Sequence, residues 1–231
     1  MTGPVGFFDS GVGGLCILEA FRKLCPGVET VYVADSEHCP YGNRSREEII
    51  RLSEACVRKL LAQNCQLIVV ACNTATAAAI DYLRTNYPEV PFVGLEPAIK
   101  PAALKSQTGI VGVLATQGTF NGRLYNETKM KFAKNVTILA TVADEFVEIV
   151  ERLHSNHPPS ETEIRKAVEA KVEPLLRAGA DKIVLGCTHF PHLRTYIEQL
   201  ADGRAEVVDS CDAVARQIHR VLRGLKRVSH L

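Results

Sequence analysis

Cys72 and Cys187 close two segments of the same kind, Leu67-Ile-Val-Val-Ala-Cys72-Asn73-Thr74 and Lys182-Ile-Val-Leu-Gly-Cys187-Thr188-His189. Each is an aliphatic, largely β-branched run that ends in a small residue, a cysteine and hydrogen-bonding side chains. A buried parallel strand reads this way, and ligands sit at the carboxyl ends of such strands in open α/β sheets. One cysteine so placed is ordinarily a small core residue. Two, similarly placed in the two halves of the chain, suggest a pair of thiols facing one ligand. That is a layout for taking a proton from one face of a carbon and returning one to the other. The base then needs a pKa matched to its task, and the second thiol must hold a proton ready. A free thiol titrates near about 8.5, so the thiolate needs a favourable environment or a partner. No lysine stands beside either cluster to form a Schiff base, and the logic requires neither a metal nor pyridoxal.

Other polar residues collect at the same strand ends. Asp9-Ser10-Gly11-Val12-Gly13-Gly14 looks like a phosphate loop, but it lacks the lysine and departs from the G-x-G-x-x-G spacing. Its glycines still let backbone approach a ligand, and amides at a helix start favour an anion such as a carboxylate. Asp9 alone reads as a turn or cap; beside Cys72 it could act on the thiol or on a substrate ammonium group. Pro40-Tyr41-Gly42 alone reads as a turn with amides on its edge. Asn73 and Thr74 open a helix and fit carboxylate recognition, and Thr188 repeats the hydroxyl. His189 is placed to orient or protonate Cys187 or a ligand acid, whereas His192 reads as structural.

These residues need elements to hold them, and strand-like runs alternate with amphipathic helical stretches throughout, the doubly wound α/β signature. Strands are expected at Val5–Phe8, Thr30–Ala34, Leu67–Ala71, Phe92–Leu95, Thr108–Leu114, Thr137–Leu139, Asp181–Leu185 and Glu206–Val208. Helices are expected at Gly14–Leu24, Arg46–Gln63, Ala75–Asn86, Phe120–Lys131, Glu145–Leu153, Glu161–Ala178 with Ser160 as N-cap, Phe190–Leu200 and Ala213–Leu222. The second half restarts the pattern of the first: Thr116-Gln-Gly-Thr119 echoes the turn after the opening strand. The reading is two related α/β domains facing one another, 1–97 with 208–231 and 98–207.

Composition narrows the class. The 231 residues are 46% hydrophobic and 23% charged, with a formal net charge of +1. That balance favours neither nucleic acid nor an anionic membrane as a partner. No apolar run approaches the roughly 18 residues of a membrane span, no signal peptide is evident, and a cytoplasmic protein is expected. None of the eight cysteines forms a C-x-x-C pair, which argues against a zinc knuckle or thioredoxin-like site. Six precede position 73, a poor disulfide framework for this length. Cys16, Cys56 and Cys65 read as small core hydrophobes, and Cys39 lies in a polar loop.

The motifs together resemble the cofactor-independent aspartate/glutamate racemase family. The matching segments are Phe8-Asp-Ser-Gly-Val-Gly-Gly-Leu15, Tyr32-Val-Ala-Asp35, Pro40-Tyr-Gly42, Ala71-Cys-Asn-Thr-Ala75, Glu96-Pro97, Leu114-Ala-Thr-Gln-Gly-Thr119, Leu185-Gly-Cys-Thr-His-Phe-Pro-His-Leu193 and Val208-Asp-Ser210. The resemblance implies two doubly wound domains related by a pseudo-twofold axis, with the active site in the cleft between them. It also implies a homodimer and racemisation of glutamate without cofactor or metal, feeding D-glutamate to peptidoglycan. By position, Cys72 and Cys187 are the acid/base pair, Asp9 assists Cys72, and His189 with Glu151 assists Cys187. Asp9, Ser10, Tyr41, Gly42, Asn73, Thr74, Thr116, Thr188 and His189 line the substrate pocket. The same resemblance assigns the α-proton of D-glutamate to Cys72 and that of L-glutamate to Cys187. Two alternatives stand beside it: an aspartate or broad-specificity racemase with the same thiols, and a non-catalytic redox-sensing or ligand-binding protein on this fold.

Overall fold

The computed structural model describes residues 3–228. In chain order its elements are β1 (Val5–Asp9), α1 (Leu15–Leu24), β2 (Thr30–Ala34), α2 (Arg46–Leu61), β3 (Leu67–Val70), α3 (Asn73–Asn86), β4 (Phe92–Val93) and α4 (Ile99–Lys105). There follow β5 (Ile110–Ala115), α5 (Gln117–Phe120), α6 (Arg123–Phe132), β6 (Thr137–Val142), α7 (Glu145–Leu153), α8 (Glu161–Arg177), β7 (Lys182–Leu185), α9 (Arg194–Ala201), β8 (Glu206–Val208) and α10 (Cys211–Val228). Short 3-10 turns cover Ser36–His38 and Phe190–Leu193.

The chain divides into two compact units, residues 1–95 with 211–231 and residues 96–210. Each is built on a four-stranded parallel sheet, ordered β2-β1-β3-β4 in the first and β6-β5-β7-β8 in the second. Helices flank both sheets, which is the α/β class the alternating pattern predicts. Strands β1, β3 and β7 are buried along their whole length. That is why, apart from Asp9 and Lys182 at their ends, they read as continuous apolar runs rather than as alternating ones. In the first unit α10 lays Val214, Ala215, Ile218 and Leu222 into a cluster with Ile17, Leu18 and Phe21 of α1 and Val5, Phe7, Leu67 and Val69 of the sheet. In the second, Val111, Val113 and Val184 of the sheet pack with Ile99 and Ala102 of α4 and Tyr125 of α6.

Local chemistry sets several helix ends. Ser45 Oγ accepts from the Glu48 amide and Ser160 Oγ from the Glu163 amide, each at 3.2 Å, so Ser160 is the cap its sequence predicts. Cys72 caps α3 through its own sulfur, so the helix starts at Asn73 instead of Ala75. The expected helix from Phe120 is instead two helices, because the Thr116 side chain caps a short one at Gln117. The Asn126 amide then bonds the Phe120 and Gly122 carbonyls at the break. Likewise Phe190–Leu193, which contains Pro191, is a 3-10 turn before α9. Helix α4 has no counterpart in the expected pattern. Its Pro101 lies in the first turn, where amides lack an intrahelical partner and proline costs little.

Asp181, the residue before β7, ties down the loop that leads into β5. Its carboxylate accepts from Ser106 Oγ at 2.6 Å and from the amides of Gln107 and Thr108 at 2.5 and 3.3 Å. Burial opposes the charge, but these bonds and nearby Lys182 outweigh it and hold the carboxyl below the usual aspartate range. A group so lowered stabilises the fold above its unfolded pKa, near about 3.9, and that contribution fades as pH falls through the lower folded value. Asp181→Ala is therefore expected to cost about 2–3 kcal/mol at neutral pH, read by urea denaturation. The difference from the parent should shrink toward pH 3.

Candidate active site

In both sheets the chain order reverses beside the first strand, so each has its switch point at the carboxyl ends of the two central strands. Parallel register makes the two places comparable. The Ala71 amide donates to the Phe8 carbonyl and the Gly186 amide to the Leu114 carbonyl, both at 2.7 Å. Cys72 and Cys187 are the next residues, so the two cysteines occupy equivalent positions, one residue past equivalent bonds. The same register matches Ser10 with Thr116 and Asn73 with Thr188. It also matches Asp9 with Ala115, and there the equivalence fails: one sheet ends in a carboxylate, the other in a methyl.

In the first unit Asp9 is fully buried. Its Oδ1 accepts from the Ser10 amide at 2.7 Å and the Ser10 hydroxyl at 3.3 Å, and its Oδ2 from the Gly14 amide at 2.6 Å. The glycines of this turn serve close packing. A Cβ on Gly14 would lie 2.8 Å from the Ala71 carbonyl oxygen and 2.8 Å from the Tyr32 hydroxyl. The Asp9 turn is thereby pressed against the strand end that carries Cys72. Ser10 Oγ lies 3.8 Å from Cys72 Sγ, which also accepts from the Ala75 amide at 3.4 Å. A sulfur at a helix N-terminus, taking an amide hydrogen, sits where negative charge is favoured.

Asn73 and Thr74 follow in the first turn of α3, both buried. The Asn73 Nδ2 has no hydrogen-bond partner among the described residues. A buried amide donor left open beside a thiol is a costly feature for a fold alone, and one that an incoming carboxylate would satisfy. Tyr41 and Gly42 are buried as well. The Tyr41 hydroxyl donates to Asp35 Oδ2 at 2.6 Å, while Asp35 Oδ1 meets His38 Nδ1 at 2.9 Å. Burial first, and then the bond to Asp35, drive the Tyr41 pKa far up, so this phenol stays protonated. Asp35 is thus the residue that holds the Tyr41 loop. The spacing of the residues alone does not reveal it.

The second unit builds a different set around its cysteine. His189 is buried, with Nδ1 3.8 Å from Cys187 Sγ and Nε2 2.6 Å from Glu151 Oε1. Glu151 comes from α7, and the cysteine and histidine from the segment after β7. A thiol, an imidazole and a carboxylate in line form a relay in which the third group orients the second. Thr116 and Thr188 are buried, and the Thr116 hydroxyl lies 3.0 Å from that of Thr119. His192 stacks edge-on against His154, ring centres 5.5 Å apart, outside this line.

Other cysteines are chemically quiet or lie elsewhere. Cys56 and Cys65 are buried as expected of core residues. Burial, with help from the Asp35 charge, pushes the Cys56 thiol up to about 11; burial also raises that of Cys65. Cys16 departs from expectation: it is half-buried at the margin of the α1–α10 cluster.

Known proteins of this architecture share more than the fold. The chain is similar to the glutamate racemase of Herpetosiphon aurantiacus, 48% identical over 219 residues that cover 95% of this chain and 84% of that protein. It is 41% identical to the glutamate racemase of a Roseiflexus species over 97% of this chain and 82% of that one. Among solved structures, Escherichia coli glutamate racemase in complex with L-glutamate and the activator UDP-MurNAc-ala superposes with a TM-score of 0.82. It is 36% identical and the match covers 96% of this chain and 83% of that one. The sequence profile described as Asp/Glu/Hydantoin racemase matches residues 16–218. With so much of its length accounted for, the chain belongs to that racemase family.

Proposed function

We propose that the protein interconverts L- and D-glutamate by a two-thiol acid/base mechanism without a cofactor, supplying D-glutamate for peptidoglycan, and works as a cytoplasmic homodimer. The observation that carries the mechanism is the equivalent placement of Cys72 and Cys187 in the two sheets, the first beside the Ser10 hydroxyl and the second beside the His189 imidazole. Racemisation needs a proton taken from one face of the α-carbon and another returned to the opposite face. One thiolate removes the proton, the electron pair spreads into the α-carboxylate, and the other thiol reprotonates the carbon. Donors from Ser10, Gly42, Asn73, Thr74 and Thr188 suit the two carboxylates of glutamate. Asp9 serves Cys72, and His189 with Glu151 serves Cys187.

The direct test is circular dichroism of pure L-glutamate and, separately, pure D-glutamate incubated with the protein and no added cofactor. Both signals should decay to zero, at the same rate with and without EDTA. Constant ellipticity from both enantiomers would end the proposal. Decay with L-aspartate in place of glutamate would move the substrate assignment.

Glu151→Gln tests the relay from its far end. Glutamine keeps the length but removes the charge that holds His189, and kcat/KM should fall about 10–100-fold, a part of what general acid–base catalysis provides. A racemisation has an equilibrium constant of one, so this fall must be equal from both enantiomers. The asymmetry appears in the α-deuterium isotope effect, which should rise for L-glutamate, the substrate of Cys187, and stay constant for D-glutamate.

A further inference from the structure

Two cysteines outside the proposed chemistry meet across 195 positions of sequence. Cys211 Sγ lies 3.3 Å from Cys16 Sγ, the first at the start of α10 and the second in the first turn of α1. Both are half-buried, unlike Cys56 and Cys65. As reduced thiols they form a weak S–H···S contact, and a pair of small core residues would need no more than that. Core residues, however, would be closed off from solvent, whereas these two are reachable. A disulfide has an S–S length of about 2.05 Å, so the sulfurs need approach by only roughly 1.3 Å, within reach of small side-chain rotations.

We propose that Cys16 and Cys211 are an oxidative modification site, forming a reversible disulfide when the protein meets a hydroperoxide. The thiolate of one attacks the O–O bond, becoming a sulfenic acid and releasing hydroxide, which becomes water on taking up the proton that this thiol had shed. The thiol of the other attacks that sulfur, displacing a second water. The two sulfurs lose two electrons and two protons in total, and one hydrogen peroxide becomes two waters. A small dithiol reverses the step by exchange.

The position gives the bond its consequence. The chain leaves the first unit at Leu95 and returns to it at Cys211, so the disulfide clasps the point of return. Helices α1 and α10 already share an apolar interface through Ile17, Leu18, Phe21, Val214 and Ile218. The cross-link adds a covalent closure of a very long loop, which restricts the unfolded chain far more than the folded one. Cys16 also lies two residues beyond Gly14, whose amide holds Asp9. The clasp therefore anchors the helix that begins at the Asp9 turn.

The test uses the full-length protein with a few equivalents of hydrogen peroxide, followed by alkylation, non-reducing proteolysis and mass spectrometry. Activity is not the readout, since peroxide also reaches other thiols. A peptide joining Cys16 to Cys211 with loss of two hydrogens is expected, together with a rise in thermal midpoint of about 5 °C or more. Dithiothreitol should reverse both changes. Cys16→Ala and Cys211→Ala should each lose the cross-linked peptide and the rise, and Cys25→Ala, in the same cluster, should keep them. Either of the first two variants suffices should the other fold poorly, and the parent's peptide map stands alone. Separate sulfinic or sulfonic acids at the two positions, a bridge to Cys25 instead, or a cross-link that leaves the midpoint unchanged would each overturn the proposal.

Discussion

Replacing Cys72 or Cys187 by alanine is expected to lower racemisation in both directions by about 10³-fold or more, toward the upper range for loss of a positioned acid or base. The two losses should be equal in kind because in the proposed mechanism the thiols exchange roles, each being the base for one enantiomer and the acid for the other. Half of the chemistry should survive in each case. With Cys72→Ser, Cys187 still removes the α-proton of an L-substrate, so an L-configured analogue carrying a leaving group at the next carbon should undergo elimination. Cys187→Ser should do the same with the D-analogue only. The assays are circular dichroism for racemisation and release of the leaving group for elimination. Substantial racemase activity in either alanine variant would defeat the two-thiol mechanism, and elimination with the opposite handedness would reverse the assignment of faces.

Asp9→Asn is expected to give the second large effect, on catalysis and stability together. The carboxylate accepts from two backbone amides and a hydroxyl while fully buried. An asparagine has one acceptor oxygen and presents an NH2 to the other amide, a donor set against a donor. The cost should be about 1–3 kcal/mol by urea denaturation, the range for a buried group left unsatisfied. Activity should fall further than partial unfolding explains, about 10²-fold or more in kcat/KM, because the Asp9 turn carries Ser10 to within 3.8 Å of Cys72. The α-deuterium isotope effect should rise for D-glutamate here, the mirror of the outcome at Glu151. Full activity in a folded Asp9→Asn protein would remove Asp9 from the mechanism.

The sequence alone determined the elements whose signals are local. Thr30–Ala34, Glu145–Leu153 and Glu206–Val208 have the bounds that their pattern predicts, and Ser160 is the N-cap expected just ahead of the helix at Glu161. Burial on both faces writes an apolar run into a strand, and a helix start writes an oxygen three residues ahead of a free amide. For the same reason Cys72 and Cys187 could be read as strand-end residues, with Asn73, Thr188 and His189 as their neighbours in sequence and Asp9 at the end of a strand of its own. Helix α4 escaped because Pro101 reads as a breaker except in a first turn, and a short segment offers no period to show where that turn begins.

Tertiary structure decided the rest, chiefly through contacts between residues far apart in sequence. Only the pairing of β1 with β3 and of β5 with β7 shows that the position of Asp9 in its sheet corresponds to that of an alanine in the other. Only the packing of α7 brings Glu151 to His189, 38 positions away. The meeting of Cys16 with Cys211 belongs to the same class, while the bond between Tyr41 and Asp35, six residues apart, and the open amide of buried Asn73 depend on how a loop and a helix start are buried. Periodicity reports which face of an element is buried, because burial repeats with the backbone. It carries no information on which distant element does the burying, since any apolar partner satisfies the pattern equally. Polar partners are chosen by register and packing geometry, and these exist only once the strands have paired.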